Sequence, residues 1–386
     1  MSNLIYINEK GFVLPVGLMF LAIISILGTT AVTITTTDLK IGRNYKTSVQ
    51  AFYAGEAGIQ RATHILKAGA SNGFDNELLG TDGKSNTSDD GILNFGDESS
   101  AVQIIDNNDG DGDLFSDSDN KVIITSTGTA SNASKTIEAI FSYQAVDVDG
   151  ALGLYGDGPA VDLGNGPSEI DGRDHNVPTS FNCSGVHCEG TLVSGAPAET
   201  GIYAENTLIR TGIIDGPAKG KGAKSQNVFG DPPIDDEGGG VGSVSYWQDF
   251  ANGLIPAQTI DAADGTFAGN VSIGTRENPQ VTVITDDKCV GTHLSGTVDG
   301  AGILVINGDL QITGTFHFEG LVIVISDEDL VVTGTGRSIL FGSIVLAGSG
   351  NSSEVDYGGH ASIRYSSDAL SYAAATLAKL DAWREL

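Results

Sequence analysis

Hydrophobic residues are unevenly distributed along the chain, and the longest uninterrupted run lies close to the N-terminus. Residues 12–34 contain no charged side chain. As a helix, at about 1.5 Å per residue, this run spans roughly 35 Å, enough to cross a hydrocarbon core of about 30 Å. A short polar leader that includes Lys10 precedes the run, and no small-residue cleavage site of the signal-peptide kind follows it. The pattern predicts a membrane-spanning helix.

The helical pattern continues beyond the apolar run. Small and apolar residues recur there at helical spacing, which is typical of one face of an amphipathic helix. The residues on this face are Ala51, Ala54, Ala57, Gly58, Ile65 and Leu66. The segment 69–73, Gly-Ala-Ser-Asn-Gly, ends the pattern. We therefore predict one long helix over residues 12–68, lipid-like in its first half and amphipathic in its second.

A different periodicity follows the helix. Residues 121–130 and 136–144 both suit strands, and the segment between them, residues 131–134, is rich in turn-forming residues. The pair predicts an antiparallel hairpin. We place it in a small α+β head over residues 69–145 that packs its sheet on the exposed half of the long helix.

An internal repeat marks the C-terminal third of the chain. The segment Gly302–Gly314 is echoed by Gly320–Gly334, and a third copy begins with Gly342–Gly348. A period near 20 residues with several short β segments predicts a parallel β-solenoid over residues 301–366, with alternate aliphatic residues inside and Gly at the corners. The alternative is an antiparallel sandwich in which the repetition is accidental.

Two further regions complete the predicted α+β architecture. Residues 146–300 form a Gly-rich β region with exposed insertions at 216–224 and 231–242. Residues 367–386 predict a helix, since apolar residues recur every three or four positions, with Ser367 or Asp368 as its cap. This helix either covers the open end of the solenoid, which we favour, or docks a partner subunit.

Composition narrows the possible partners. The formal net charge is −29 and the sequence pI is about 4.2. Such an excess of acid argues against nucleic acid, whose phosphates need Lys and Arg, and against docking on an anionic membrane surface. Much of the acid lies in short Asp-rich loops, which favours bound cations.

The N-terminal segment resembles a type IV prepilin. The residues that carry the resemblance are Glu9-Lys10-Gly11-Phe12-Val13-Leu14-Pro15, followed by the apolar run. The family implies that prepilin peptidase cuts between Gly11 and Phe12. The helix then stays in the inner membrane, with the C-terminal body in the periplasm, and later packs against other pilins and minor pilins in a filament displayed at the cell surface.

The resemblance extends past the membrane run and covers roughly residues 7–68. The segments 35–39 and 51–62, the second of which contains Glu56, are similar to the N-terminal helix of PilX-type minor pilins. One position departs from most major pilins. Val16 stands where they carry a Glu that pairs with the N-terminal amine of a neighbouring subunit. The large tip pseudopilin of type II secretion also lacks this Glu, which implies a position at or near the filament tip. The alternative is a signal-anchor protein that never leaves the membrane.

An Asp-rich loop in the head predicts a calcium site. Its first half matches an EF-hand loop, but Ser118 stands where that loop carries a bidentate Glu, so we expect a calcium loop of a different type. The predicted ligands are Asn107, Asp109, Asp111, Asp113, Asp117 and Asp119. The alternative is a solvated acidic loop. Calcium binding is also what the resemblance to the tip pseudopilin implies.

A second acidic loop lies earlier in the head. Its predicted calcium ligands are Asp82, Asn86, Asp89 and Asp90, provided that Lys84 points away from them.

The cysteines predict one disulfide. Cys183 and Cys188 lie five residues apart, and an exported body favours a small disulfide loop between them. Zinc bound by these two residues and His187 is an alternative, although no fourth ligand stands nearby. Cys289 is left over, and we expect it to be a buried core residue.

The sequence gives little support for catalysis. No two His residues have metal-protease spacing, and no phosphate-binding loop is present. Asp286 and Asp287 form an acidic pair of the kind used in acid–base chemistry, but they stand beside Lys288 in what reads as a solvated turn. We therefore expect a non-enzymatic assembly subunit, with a pilus-displayed adhesin as the first alternative and a membrane-anchored carbohydrate-active enzyme as the second.

Overall fold

The structure is a computed structural model. It describes residues 13–69, 74–95, 99–107, 110, 112–144, 146–156, 160–162, 168–178, 190–205, 228–236, 242–261, 269–285, 292–326, 331–334, 337–348, 354–357 and 360–386. The helices within these ranges are α1 (Val13–Gly69), α2 (Asp75–Leu78), α3 (Val244–Gly253) and α4 (Ser367–Leu377).

The long N-terminal helix is confirmed as one continuous element, α1. By length and composition it can cross a membrane. Its most apolar 18-residue window has a mean hydropathy of 2.2, and none of that window is buried. Every residue of α1 from 17 to 46 is exposed, whereas Ala51, Ile59, Ala62 and Leu66 are buried against the head. The helix is therefore divided into an uncovered apolar half and a packed half.

Threonines do not interrupt the apolar character of the uncovered half. Six of their hydroxyls donate to backbone carbonyls three or four residues earlier, at 2.8–3.0 Å. They belong to Thr29, Thr30, Thr33, Thr35, Thr36 and Thr37. A hydroxyl bonded within its own helix needs no water, so this segment remains compatible with a lipid environment.

The head contains a five-stranded antiparallel sheet in the order β1-β2-β3-β4-β22. Its strands are β1 (Ile92–Leu93), β2 (Ser100–Asp106), β3 (Lys121–Ala130), β4 (Ala133–Ser142) and β22 (Lys379–Glu385). The predicted hairpin is confirmed as β3 and β4, which pair along their full lengths. The turn is tighter than predicted, because β4 already begins at Ala133 and Ser131 turns the chain with a φ of 52°.

The predicted C-terminal helix is wrong over its last residues. Helix α4 ends at Leu377, and β22 pairs antiparallel with β4. Leu380 and Trp383 are spaced in a way that fits a helix, but the unpaired edge of β4 offers backbone hydrogen bonds. Ser142 also donates to Asp381 at 2.6 Å. Strand β22 therefore belongs to the same sheet against which α1 packs.

Small residues let α1 and β3 approach to backbone contact. A Cβ on Gly128 would lie 2.1 Å from the carbonyl oxygen of Ala51 and 2.2 Å from the amide nitrogen of Gly55. A Cβ on Gly58 would lie 2.2 Å from the hydroxyl oxygen of Ser126. At Gly128 these atoms belong to the backbone and cannot move aside, so glycine is required there; at Gly58 the close atoms belong to the side chains of Ser126 and Val102, which would have to shift.

The body is built from parallel strands stacked in register. They are β5 (Leu152–Tyr155), β6 (Ala160–Asp162), β7 (Glu169–Asp171), β8 (Ile202–Ala204), β9 (Val228–Phe229), β10 (Ile234–Asp235), β11 (Gln258–Asp261), β12 (Asn270–Ile273), β13 (Gln280–Thr285), β14 (Thr292–Leu294), β15 (Thr297–Asn307), β16 (Leu310–Ile312), β17 (Thr315–Ser326), β18 (Val331–Gly334), β19 (Arg337–Gly348), β20 (Glu354–Tyr357) and β21 (His360–Arg364). They form a 12-stranded sheet and a five-stranded sheet.

The internal repeat corresponds to the coils of this solenoid-like body. Gly302 pairs with Gly320, and Gly320 pairs with Gly342. All three have a φ between 120° and 132° at the point where the long strands turn a corner, a conformation that other residues rarely adopt. The parallel pairing over β15, β17 and β19 excludes the antiparallel sandwich for this region.

The repeat strands are buried on both faces, which explains their unbroken aliphatic sequences. Leu304, Val322 and Leu346 belong to the interior core. Their neighbours point outward into a second core, which is closed by Trp247 of α3 and Leu370 of α4. Helix α4 therefore lies across the coils on an outer face, and the prediction that it covers the open end is wrong. Its cap is Ser366, whose hydroxyl accepts from the amide of Ala369.

The coils do not stack in chain order. Strand β5, from the first coil, pairs with β19, from one of the last. Strands β8 and β10 continue the stack beyond β5, and the chain then passes through α3 to β11 at the opposite edge. Part of the predicted insertion 231–242 is therefore strand β10. The predicted insertion 216–224 lies outside the described residues.

We predict that Gly128→Ala destabilises the head by about 1–3 kcal/mol, the usual cost of forcing extra volume into a packed core. The added methyl group meets backbone atoms of α1, which cannot rotate away. Thermal unfolding of the full-length protein in detergent measures the effect. Gly42→Ala is the matched control, since a Cβ there meets nothing within 4 Å. Equal melting of the Gly128→Ala variant and wild type would contradict the proposed contact.

Candidate functional site

Three groups of predicted site residues lie outside the described residues. They are the processing pair Gly11 and Phe12, the cysteines Cys183 and Cys188, and the calcium candidates Asp109 and Asp111. Cys289, which the predicted disulfide leaves over, and the acidic residues Asp286 and Asp287 also lie outside the described residues. The remaining calcium candidates are described and occupy two loops of the head.

The first acidic loop already has a positive partner. Asp119 accepts two hydrogen bonds from the side-chain amide of Asn107, at 3.1 and 3.2 Å, and forms an ion pair with Lys121 at 2.9 Å. Asp113 accepts from the amide of Phe115 at 3.0 Å. The loop itself contains no Lys or Arg, but Lys121, the first residue of β3, offsets part of its charge.

Asp117 ties this loop to the rest of the head. Its amide donates to Asp75 at 2.7 Å, and its Oδ1 accepts from the amide of Lys121 at 3.1 Å. Its Oδ2 and the Oδ1 of Asn107 are buried without a hydrogen-bond donor among the described residues. Burial, followed by the nearby charge of Asp119, raises the pKa of Asp117. Buried acceptor oxygens without donors suit a hard cation.

The second acidic loop gathers three carboxylates around one hydroxyl. The Oγ1 of Thr87 lies 2.8 Å from Asp89, 2.7 Å from Asp90 and 3.4 Å from Asp82. A hydroxyl has a single hydrogen and can donate to one of them at a time. Asn86 turns this loop with a φ of 63°.

Asp89 is stabilised as a carboxylate by local donors. The hydroxyls of Thr81 and Thr87 lower its pKa to about 2. Within the part of the chain that the structure describes, however, no three His, Cys, Asp or Glu side chains meet in the geometry of a metal centre. The carboxylates of this loop are therefore near one another but are not arranged as a preformed set of ligands.

Buried charges in the body were not predicted from the sequence. Glu319 is fully buried and receives two hydrogen bonds from Arg276, one of them 2.6 Å long. Burial raises the pKa of Glu319, and the guanidinium opposes this rise. Arg276 also donates to the carbonyl of Pro178. The pair joins the loop before β13 and the segment around Pro178 to an outward face of the solenoid, which is a structural role.

A second buried network holds the segment before α4. Asp171 accepts two hydrogen bonds from the guanidinium of Arg173, at 2.6 and 2.9 Å, and a third from its backbone amide at 3.0 Å. Asp174 accepts from the amide and the hydroxyl of Ser367, at 2.9 and 2.8 Å. These contacts fix the start of α4, and we find in them no arrangement of nucleophile and base.

Comparison with known proteins found a family match in the N-terminal part of the chain. Residues 10–60 match the family described as PilX N-terminal. No curated protein matches the chain. One solved structure that matches is the competence-associated pilin ComZ from Thermus thermophilus. It is 12% identical, with 88% of this chain and 98% of that chain covered, at a TM-score of 0.25. A likeness at that TM-score carries no structural argument.

We predict that Asp117→Asn raises the melting temperature at pH 7 in EDTA. The folded state binds the proton of Asp117 more tightly than the unfolded chain does. This group therefore lowers stability as the pH rises from about 3.9 through its raised folded pKa. Because Asp117 is only half-buried, we expect a rise of about 1–2 °C.

The gain should disappear below about pH 4, where wild-type Asp117 is protonated in both states. Asp113→Asn is the control, since it removes an exposed charge from the same loop. A variant that melts below wild type at pH 7 would show that the carboxylate is already satisfied.

The matched segment coincides with the apolar half of α1 and the start of its packed half. Over residues 10–60, the N-terminal part of this chain is therefore similar to the PilX N-terminal family.

Proposed function

We propose that the protein is a minor pilin subunit that takes part in assembly or priming of a type IV pilus or a related filament, at or near its tip. The observation that carries the proposal is the division of α1. Its apolar half has no cover from the rest of the described chain, and its other half is fixed in the head by backbone contact. An uncovered apolar helix of this length needs lipid or neighbouring helices around it.

The same division suggests how the subunit works. The uncovered half of α1 is held first in the inner membrane and then among the helices of other pilins. The head and the solenoid-like body remain outside the bundle and present their surfaces to the next subunit. This mechanism depends on binding and needs no chemistry apart from the proposed cut by prepilin peptidase between Gly11 and Phe12.

Mass spectrometry of filaments tests this role. We expect the protein in sheared and purified filaments at a small fraction of the amount of the major pilin, because a subunit at or near the tip is present in few copies. Quantitative peptide counting against labelled standards measures the ratio. Absence from filaments, with full recovery in the membrane fraction, would instead support a membrane anchor that never assembles.

Val16 supports the position near the tip. We predict that Val16→Glu inserts into the membrane but lowers filament number several-fold. A carboxylate at this position without a partner pays a desolvation cost of several kcal/mol. Val16→Leu is the control, since it keeps the site apolar. If the Glu variant assembles as wild type does and is found along the whole filament, the tip assignment is wrong.

We also propose that calcium stabilises the head through the loop that contains Asn107 and Asp117. The support is the pair of buried oxygens without donors and the raised pKa of Asp117. Asp109 and Asp111, which belong to the same loop in the sequence, would complete the set of oxygen ligands. The second loop, with Asp82, Asn86, Asp89 and Asp90, remains a second candidate.

Thermal unfolding in calcium and in EDTA tests this proposal. Binding to the folded state alone adds about 2.7 kcal/mol at a hundredfold excess over the dissociation constant, so wild type should melt several degrees higher in millimolar calcium. The double variant Asp109→Ala with Asp111→Ala should lose most of this difference, whereas Asp89→Ala with Asp90→Ala reports on the second loop. Equal melting of wild type in both solutions would leave both loops as solvated acidic segments.

A further inference from the structure

A small group of positive charges interrupts the acidic character of the chain. The protein has 49 acidic and 20 basic residues. Between residues 13 and 55, however, it has Lys40, Arg43 and Lys46 against a single acid, Asp38. All three basic side chains are exposed on α1, and none of them forms an ion pair with another residue in the described ranges.

Their position along α1 is set by the apolar run. Residues 13–37 carry no charge, and the hydroxyl of Thr37 is bonded within the helix. Lys40, Arg43 and Lys46 follow at roughly 5, 9 and 14 Å beyond Thr37 along the helix axis. The polar layer of a bilayer extends about 5–8 Å beyond each side of its hydrocarbon core, and long basic side chains can reach back toward it.

We propose that Lys40, Arg43 and Lys46, which span about 120° of the circumference of α1, form a basic collar along one face of the helix that binds the phosphates of anionic phospholipids at the membrane surface. The inference rests on the proposed function in one respect, the insertion of the apolar half of α1 into a bilayer. Carboxylates of a neighbouring subunit are a different kind of partner. We favour lipid because the apolar run places Lys40 within the head-group layer and Arg43 and Lys46 beyond it, where long side chains can reach back toward the phosphates before any other subunit is present.

The three basic residues lie on the side of the apolar run where the general bias of membrane helices does not place them. Basic residues usually accumulate on the side of a membrane helix that is not exported. In the proposed orientation, the leader contributes Lys10 and the exported side contributes the three residues of the collar. The bias therefore does not explain the collar, whereas contact with an anionic surface lowers the free energy of each basic residue.

Lipid selectivity of the full-length protein tests the collar. The protein is reconstituted into phosphatidylcholine vesicles that contain about a fifth phosphatidylglycerol, a composition anionic enough to attract basic segments. Electron paramagnetic resonance then compares the motionally restricted fraction of spin-labelled phosphatidylglycerol with that of spin-labelled phosphatidylcholine. We expect at least about a fivefold preference for phosphatidylglycerol at low salt, which falls toward one at about 1 M salt, where the screening length is near 3 Å.

Two triple variants separate the collar from net charge. Lys40→Gln with Arg43→Gln and Lys46→Gln should lose the preference. Lys67→Gln with Lys84→Gln and Lys379→Gln removes the same total charge from the head and should keep it. Insertion of wild type with equal contact to both lipids would overturn the collar and leave the membrane anchor standing. Failure of wild type to insert into these vesicles would overturn the proposed anchor itself.

Discussion

The structure depends on the contact between the backbone of α1 and the backbone of β3. Gly55 on the helix and Gly128 on the strand have no side chain where the two backbones meet, and Gly58 leaves room for the side chain of Ser126. The close approach lets Ile59, Ala62 and Leu66 reach the core of the head. One half of α1 is thereby part of the head, and the apolar half is not covered by the rest of the described chain. That division underlies the proposed role in a membrane and then in a filament.

The C-terminal segment extends the same unit into the body. Ala374 and Ala378, in α4 and directly after it, pack in the head core, whereas Leu370 and Ala373 pack on the solenoid-like body. Strand β22 then completes the head sheet beside β4. The chain thus crosses between head and body twice, before β5 and after β21, and both of these strands pair with β19. Two crossings with a shared helix restrict rotation of the body relative to the head more than a single linker does.

The elements that could be predicted from the sequence are those whose pattern depends on local physics. The uncharged run of α1 and the glycines at 302, 320 and 342 each follow from a requirement that one element imposes on itself. Elements and contacts whose structure depends on a residue distant in the sequence could not be predicted. The spacing of Leu380 and Trp383 suits a helix, and only the free edge of β4 makes this segment a strand. The stacking of β5 on β19 has no sequence period, and the pairing of Asp119 with Lys121 needs the fold of the loop.

N-terminal sequencing of the protein from native membranes tests the proposal that this chain is matured as a pilin. We expect a mature chain that begins at Phe12, because the polar leader ends at Gly11 and the apolar run begins with Phe12. A mature chain that still begins at Met1 or Ser2, or one that begins beyond Ile34 and so lacks the apolar half of α1, would contradict it.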